Sequence, residues 1–302
     1  FIFYRTLKLV FKNKTIFSKN SKLYILLSLA MFSWGLSWTN GKILGEYGNT
    51  DIIIVWRFFF ASIFFFPYLL YTRNPLLPNR KSIPHILINS FLIIGYNIFY
   101  FAGTKIGYAG AGGVLVTTLN PILTTILMMF FFDKKISINE QFGLFFGIIG
   151  GVIIIQVWKD NSFLQSGNIF FILASLCWVL VTINTYVSRN KINFTTYSFW
   201  SFLFGFIFYL PFTRGQNIFI IFNYDYIFWL NFLIISFGAM AFGQSIYFNA
   251  TAILGAKKAS SFILMVPISA IIFAILILEE PVIGTTIFGG FLGLYAIYLI
   301  NK

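Results

Sequence analysis

One cysteine, Cys177, and one histidine, His85, are all that this chain of 302 residues contains of either type. Cys177 lies within an apolar run, so neither a disulfide framework nor a thiolate metal site can be built. A single histidine between Pro84 and Ile86 reads as a residue at the edge of an apolar span. Acidic residues are scarce too, with Asp and Glu together numbering 8. No P-loop pattern, no Ser/His/Asp set and no paired carboxylates lie within the apolar runs, so no catalytic residue, metal or cofactor is expected. Charged residues make up 10% of the chain, against about 25% in soluble domains. That deficit excludes an ordinary soluble protein. The net charge of +13 does not make a nucleic-acid surface, because the basic residues are scattered through short loops and gather on no single face.

What is present is apolar: 59% of residues are hydrophobic and the mean hydropathy is +0.86. About 20 apolar residues cross a bilayer as a helix. Runs between polar breaks predict ten spans: 23–41, 52–72, 84–104, 109–132, 139–158, 167–188, 195–213, 226–250, 259–278 and 282–300. Helices are the economical choice, because lipid offers exposed backbone amides no partner. With the N-terminus in the cytoplasm, 16 Lys and Arg fall inside and 4 outside, with Arg57 alone within a span. Both termini are therefore expected in the cytoplasm. Residues 1–22 read as a basic arm resting on anionic lipid.

The second half of the chain repeats the first. Trp56-Arg57-Phe58-Phe59-Phe60 through Pro67 returns as Trp200-Ser201-Phe202-Leu203-Phe204 through Pro211, identical at six of twelve positions. Trp34 matches Trp178, Tyr100 matches Tyr247, Pro121 matches Pro267, and Gly143 and Gly147 match Gly289 and Gly293. Five spans per half is an odd number, so the halves, 23–158 and 159–302, must face opposite ways. Asp133-Lys134-Lys135 ends span four inside, whereas Glu279-Glu280-Pro281 ends span nine outside without lysines. Inverted halves in a membrane chain mark secondary transporters. The expected fold is an all-α membrane protein of ten transmembrane helices in two inverted five-helix repeats.

In these residues the chain resembles the drug/metabolite transporter superfamily, and the EamA family in particular. The resemblance covers residues 23–300 and is carried by Trp34-Gly35, Lys42, Arg57-Phe58, Ala61, Asn120-Pro121, Gly143, Gly147, Gly150-Gly151, Pro267, Glu280-Pro281 and Gly289. The turn after span four, Asp133-Lys134-Lys135-Ile136, is one residue longer than the family pattern. The resemblance implies a cavity between the halves, alternating access, and substrates among amino acids, their derivatives, other metabolites or toxic organic compounds.

Polar groups within spans face a cavity or a partner, because lipid cannot satisfy them. Asn97 and Tyr100 share one face of span three, and Gln244 and Tyr247 repeat the pair in span eight. These two pairs line a central site or hydrogen-bond neighbouring helices. Trp34, Ser37, Trp38 and Asn40 in span one, with Trp178 and Thr182 in span six, are further candidates, although a tryptophan near a span end also serves as an interfacial anchor. Arg57 lies roughly 8 Å deep at about 1.5 Å per residue. It either grips a substrate carboxylate through two hydrogen bonds or snorkels to the surface. Pro121 and Pro267 are read as mid-span kinks, mobile gates or static bends, that free the carbonyls of Thr117 and Ile263. Thr117, Asn120 and Ser261 surround them. The glycines at 143, 147, 289 and 293 let helices approach closely, within the monomer or across a homodimer through spans five and ten.

No Asp or Glu lies at depth, so facilitated export, exchange or coupling through the substrate's own charge is expected in place of a proton carrier. The reading is a permease of the bacterial cytoplasmic membrane for a small-molecule substrate, an amino acid or related metabolite, and the resemblance, not the residues, implies outward movement. Uptake of a nucleotide-like or cofactor-like metabolite is the rival within transport. A membrane-embedded enzyme acting on lipid-linked substrates lacks the acids and bases it would need.

Overall fold

The computed structural model describes residues 19–132, 136–158, 167–188, 191, 193–247, 250 and 262–301. They are helical throughout, joined by short turns, with no strand among them. In chain order the helices are α1 Lys19–Gly45, α2 Thr50–Tyr71, α3 Ile83–Ile106, α4 Ala109–Phe132, α5 Ile138–Ile155 and α6 Asn168–Ser188. There follow α7 Phe194–Tyr209, α8 beginning at Tyr226–Leu233, α9 Met265–Leu278 and α10 Gly284–Asn301. Six helical stretches are long and apolar enough to cross a membrane: Thr50–Tyr71, Arg80–Ile106, Ala109–Phe131, Ile138–Ile155, Asn168–Ser188 and Tyr226–Tyr247. Phe262–Leu278 and Gly284–Ile300 are shorter apolar helices. The chain is a multi-pass membrane protein.

Local chemistry sets the helix ends. The Asn49 side chain caps α2 by accepting from Asp51 N. Ser137 and Glu140 form a reciprocal capping box at α5, which satisfies two of the amides a helix start leaves orphaned. The Asp225 side chain caps α8 by accepting from Phe228 N. Gln156, with φ +55°, ends α5 in the left-handed region, and Glu279, with φ +53°, does the same for α9.

Two elements depart from regular helix. Beyond Leu233, α8 continues as a π-helix over Ile234–Gly243 before reverting to α through Tyr247. Pro267 lies in the first α-helical turn of α9, directly after the 3-10 turn Phe262–Leu264 that contains Ile263. Its ring has no N–H to offer the Ile263 carbonyl one turn before it. Pro121 does lie inside its helix.

The packing is pairwise: α1 lies against α8 and α9, α6 against α3 and α4, α2 against α7, and α5 against α10. The last pair meets backbone to backbone. A Cβ added at Gly150 would lie 2.7 Å from Gly289 O, and one at Gly289 only 2.6 Å from Gly150 O. Gly143 faces the Ala296 carbonyl, Gly147 faces Ile122, and Gly293 faces Thr118. All four predicted ladder glycines are therefore taken up by intrachain seams, so a homodimer through spans five and ten would have to use other faces. Outward from this seam point Phe142, Phe145, Ile148, Phe288, Phe291 and Tyr295, all exposed. So large an apolar surface is stable in lipid and would aggregate in water.

Candidate functional site

At the middle of the bundle, α1, α3, α6 and α8 bring together a connected row of rings. Tyr247 meets Trp34 at 5.4 Å between centroids, Trp34 meets Trp178 at 6.5 Å, and Trp178 meets Tyr96 at 5.0 Å. Tyr96 stacks on Tyr100 at 5.8 Å, Tyr100 meets Trp38 at a tilt at 4.9 Å, and Trp38 meets Phe171 edge-on at 5.9 Å. Offset and edge contacts of this kind contribute about 0.5–1.5 kcal/mol each beyond burial. Small residues make the row possible. A Cβ on Gly113 would lie 2.5 Å from the Ala270 Cβ and 3.0 Å from Trp38 Cδ1, and one on Gly41 would collide with the Tyr100 hydroxyl. The row is also pinned to backbone. Trp34 Nε1 donates to Ala239 O at 2.9 Å, inside the π-helical stretch, and the Tyr100 hydroxyl donates to Ser37 O.

Arg57 enters this cluster from α2. It is 5% exposed, and its Nη1 donates to Asn97 Oδ1 at 2.7 Å. Asn97 in turn donates to Ile93 O at 2.8 Å, which leaves its carbonyl oxygen aimed at the guanidinium. The cation lies 5.5 Å from the Tyr100 ring centroid and 5.9 Å from that of Phe101. Its Nε is buried with no hydrogen-bond partner, and no Asp or Glu among the described residues is within ion-pair reach, since the ion pair found there is Lys42–Glu280. The side chain is turned into the protein and does not snorkel. A buried cation balanced only by an amide and two ring faces is electrostatically incomplete.

The remaining predicted residues divide. Asn97, Tyr100, Trp34, Trp38, Trp178 and Tyr247 belong to the ring row and its arginine. Ser37 donates to Trp34 O at 2.6 Å and serves the row through its carbonyl. Gln244 is buried just past the π-helical stretch. Asn40 instead joins α1 to α8 by donating to Asn231 Oδ1 at 2.5 Å, with its own Oδ1 buried and unpartnered. Asn120 accepts from the Ser175 hydroxyl at 2.7 Å, which ties α4 to α6. The hydroxyls of Thr117 and Thr182 return to their own helices, at Gly113 O and Trp178 O respectively. Ser261 lies outside the described residues. Tyr96 and Phe171 were missed because a chain so rich in aromatics gives no signal for which rings face inward.

A second cluster closes one end of the bundle, where α1, α4 and α9 meet. The Glu280 carboxylate accepts from Ala109 N at 2.7 Å and from Gly110 N at 3.0 Å, the first two amides of α4. Lys42 Nζ lies 3.3 Å from Glu280 Oε1 and donates to Gly107 O at 2.7 Å. Glu280 is 9% exposed. A carboxylate on a helix N-terminus gains from both the orphan amides and the helix dipole. Near the other end of the bundle, Asn184 donates to His85 O at 2.8 Å and to the Tyr197 hydroxyl at 3.0 Å, and its Oδ1 lies 2.9 Å from His85 Nδ1.

Comparisons with known proteins agree with this architecture. A solved crystal structure superposes with a TM-score of 0.65 at 14% identity, covering 92% of this chain and 96% of that one, which speaks to the fold alone. Among curated proteins, an uncharacterized transporter of Bacillus subtilis, YetK, is 25% identical over 277 residues, 85% of this chain and 80% of that protein. A second from the same organism, YyaM, is 24% identical over 169 residues, about half of either chain at 54% and 55%. An S-adenosylmethionine uptake transporter of Rickettsia bellii is 23% identical over 168 residues, 52% of this chain and 56% of that protein. The model of the EamA-like transporter family matches twice, at residues 21–156 and again at 165–302. The chain is thus a transporter and belongs to the EamA-like transporter family.

Proposed function

We propose that this transporter carries a small organic solute bearing a carboxylate, an amino acid or related metabolite, outward across the bacterial cytoplasmic membrane by alternating access. The observation that carries this is Arg57, a buried cation with an unpartnered Nε beside a row of rings. Such a site suits a carboxylate on the guanidinium and an apolar or planar body against the rings. Ten spans in two inverted halves, 23–158 and 159–302, with both termini in the cytoplasm, form the frame of this proposal. It is supported by the two separate family matches and by the matched packing of α1 on α8 and α9, and of α6 on α3 and α4. In that frame Pro121 is a hinge in α4 above Asn120, and Trp34 and Trp178 are the paired rings at the meeting of the halves.

A second reading, uptake of a cofactor-like metabolite, is favoured by the likeness to the S-adenosylmethionine uptake transporter of Rickettsia bellii. The two readings share the arginine and differ in solute and direction. Thermal unfolding of the detergent-purified protein against amino acids, nucleosides, carboxylates, polyamines and S-adenosylmethionine tests both. A solute at 100 times its dissociation constant stabilises by about 2.7 kcal/mol. A carboxylate-bearing solute that stabilises the wild type and not Arg57→Ala is the expected result. Stabilisation by polyamines alone, unaffected by Arg57→Ala, would overturn the carboxylate assignment.

A further inference from the structure

We infer that Lys42 and Glu280 are the outer gating residues of the transport cycle, a latch that holds the outer end shut and biases the resting protein towards the inward-open state. The cluster ties three helices that must separate for the outer end to open: α1 through Lys42, α4 through its first two amides, and α9 through the residues that follow it. Two backbone amides and one ammonium converge on the Glu280 carboxylate. Lys42 is held in place a second time by Gly107 O and lies 5.5 Å from the Tyr108 ring centroid. The packing leaves little slack, since a Cβ on Gly110 would sit 3.2 Å from the Ala274 Cβ and 3.5 Å from Glu280 Oε2.

The latch is not repeated position for position. At the repeat offsets, the position of Lys42 falls on Tyr186 in the second half, and that of Glu280 falls on Lys134 in the first. The charged residues of the inner end, Asp133 and Arg189 among them, stand at other positions of the repeat. An inverted repeat with equal gates would divide its time evenly between two states, and a charge-assisted clamp on one gate tips that balance. The central site then rests open to the side from which an exported solute comes. This inference depends on alternating access, and on the lysine and arginine distribution that places the Glu280 end outside.

Side-specific thiol labelling tests it on the full chain in membrane vesicles. Cys177→Ser removes the native thiol, and Ser37→Cys, beside the ring row, becomes the reporter. A membrane-impermeant maleimide is applied to right-side-out or to inside-out vesicles. In Glu280→Gln, and separately in Lys42→Met, outside labelling is expected to rise by about tenfold while inside labelling falls. Tenfold is the shift from losing about 1.4 kcal/mol on one side of a two-state balance. Lys42→Met removes the ion pair and leaves the α4 cap intact, so it guards against a Glu280→Gln variant that fails to fold. Labelling that rises equally from both sides would make the pair ordinary packing and overturn the latch. Labelling from both sides but unmoved by either substitution would overturn the latch and leave alternating access standing. Reporter labelling confined to one side in every variant, with or without solute, would sink alternating access and the latch with it.

Discussion

The Arg57–Asn97 pair allows a prediction in which the structural and functional roles of an arginine have opposite signs. Replace both at once, Arg57→Met with Asn97→Leu, in apolar side chains of similar length. The structure gives the terms. One hydrogen bond from a charged group is lost, Nη1 to Asn97 Oδ1 at 2.7 Å, worth about 1.5–3 kcal/mol. Ring contacts at 5.5 and 5.9 Å are lost as well, worth roughly 0.5–2 kcal/mol. Against these stands the cost of holding a guanidinium out of water with no counter-ion, several kcal/mol per buried ion, and an Nε that has no partner at all. The two sides nearly cancel. The double variant is expected within about 1 kcal/mol of wild type, or more stable, because apolar replacement of a buried polar pair is often neutral or stabilising by about 1–4 kcal/mol. Asn97→Leu alone should destabilise by about 1–3 kcal/mol, since it strands the guanidinium. The assay is thermal unfolding in detergent, without solute and with a carboxylate-bearing solute at saturation. The wild type should gain about 2.7 kcal/mol at 100 times the dissociation constant, and the double variant nothing. A double variant that loses more than about 2 kcal/mol without solute would refute the reasoning, since Arg57 would then be a structural element and not a site held ready for an anion.

Other consequences are simpler to measure. Gly150→Ala would drive a Cβ to 2.7 Å from the Gly289 carbonyl and should cost about 1–3 kcal/mol by overpacking, read as a lowered unfolding temperature. Pro121→Ala would restore the backbone bond to the Thr117 carbonyl, so the unfolding temperature should rise while solute flux in proteoliposomes falls; unchanged flux would show the kink to be static. At the loop end, burial and the neighbouring Asp225 carboxylate push the Tyr47 hydroxyl up to about 12, so it remains a donor at any working pH. The Tyr47 hydroxyl, 2.6 Å away, and the backbone amides of α8 hold the Asp225 carboxyl below its ordinary value. A depressed carboxyl contributes stability that is present above its unfolded value of about 3.9 and is lost as pH falls through the folded value. The unfolding temperature of Asp225→Asn should therefore lie below wild type at neutral pH, and the two curves should converge on acidification below about pH 4.

Much of the frame was legible because the bilayer imposes it. The expected spans 84–104, 109–132 and 167–188 match Ile83–Ile106, Ala109–Phe132 and Asn168–Ser188 to within two residues. Apolar length and polar breaks are properties of a single segment, and they survive without knowledge of neighbours. The residues paired by the repeat, Trp34 with Trp178 and Tyr100 with Tyr247, do fall on one row of rings. What the sequence could not display was anything that depends on which side chain meets which. Glu280 looked like a loop acid beside a helix end, and only the fold brings the α4 amides, 170 and 171 residues away in sequence, to its carboxylate. Asn40 looked like a site residue, yet its amide joins α1 to α8. Hydropathy did not show that the helix around Pro267 opens with a 3-10 turn, Phe262–Leu264, before the α-helix begins.

The π-helical stretch of α8 makes the two walls of the ring row mechanically unlike. On one side α3 presents Tyr96 and Tyr100 from a regular α-helix, a stiff rod whose side chains keep a fixed angular phase. On the other, Tyr247 hangs below ten residues of wider turn, Ile234–Gly243, whose hydrogen bonds span one residue more. A wide turn can hand a residue back to the ordinary helix, and each such exchange rotates everything beyond it about the helix axis. Trp34 donates to a carbonyl within that stretch, so its indole is coupled to the phase of the wide turns. Two halves that each match the same family thus differ, through one irregular helix, in how firmly they fix the rings they contribute.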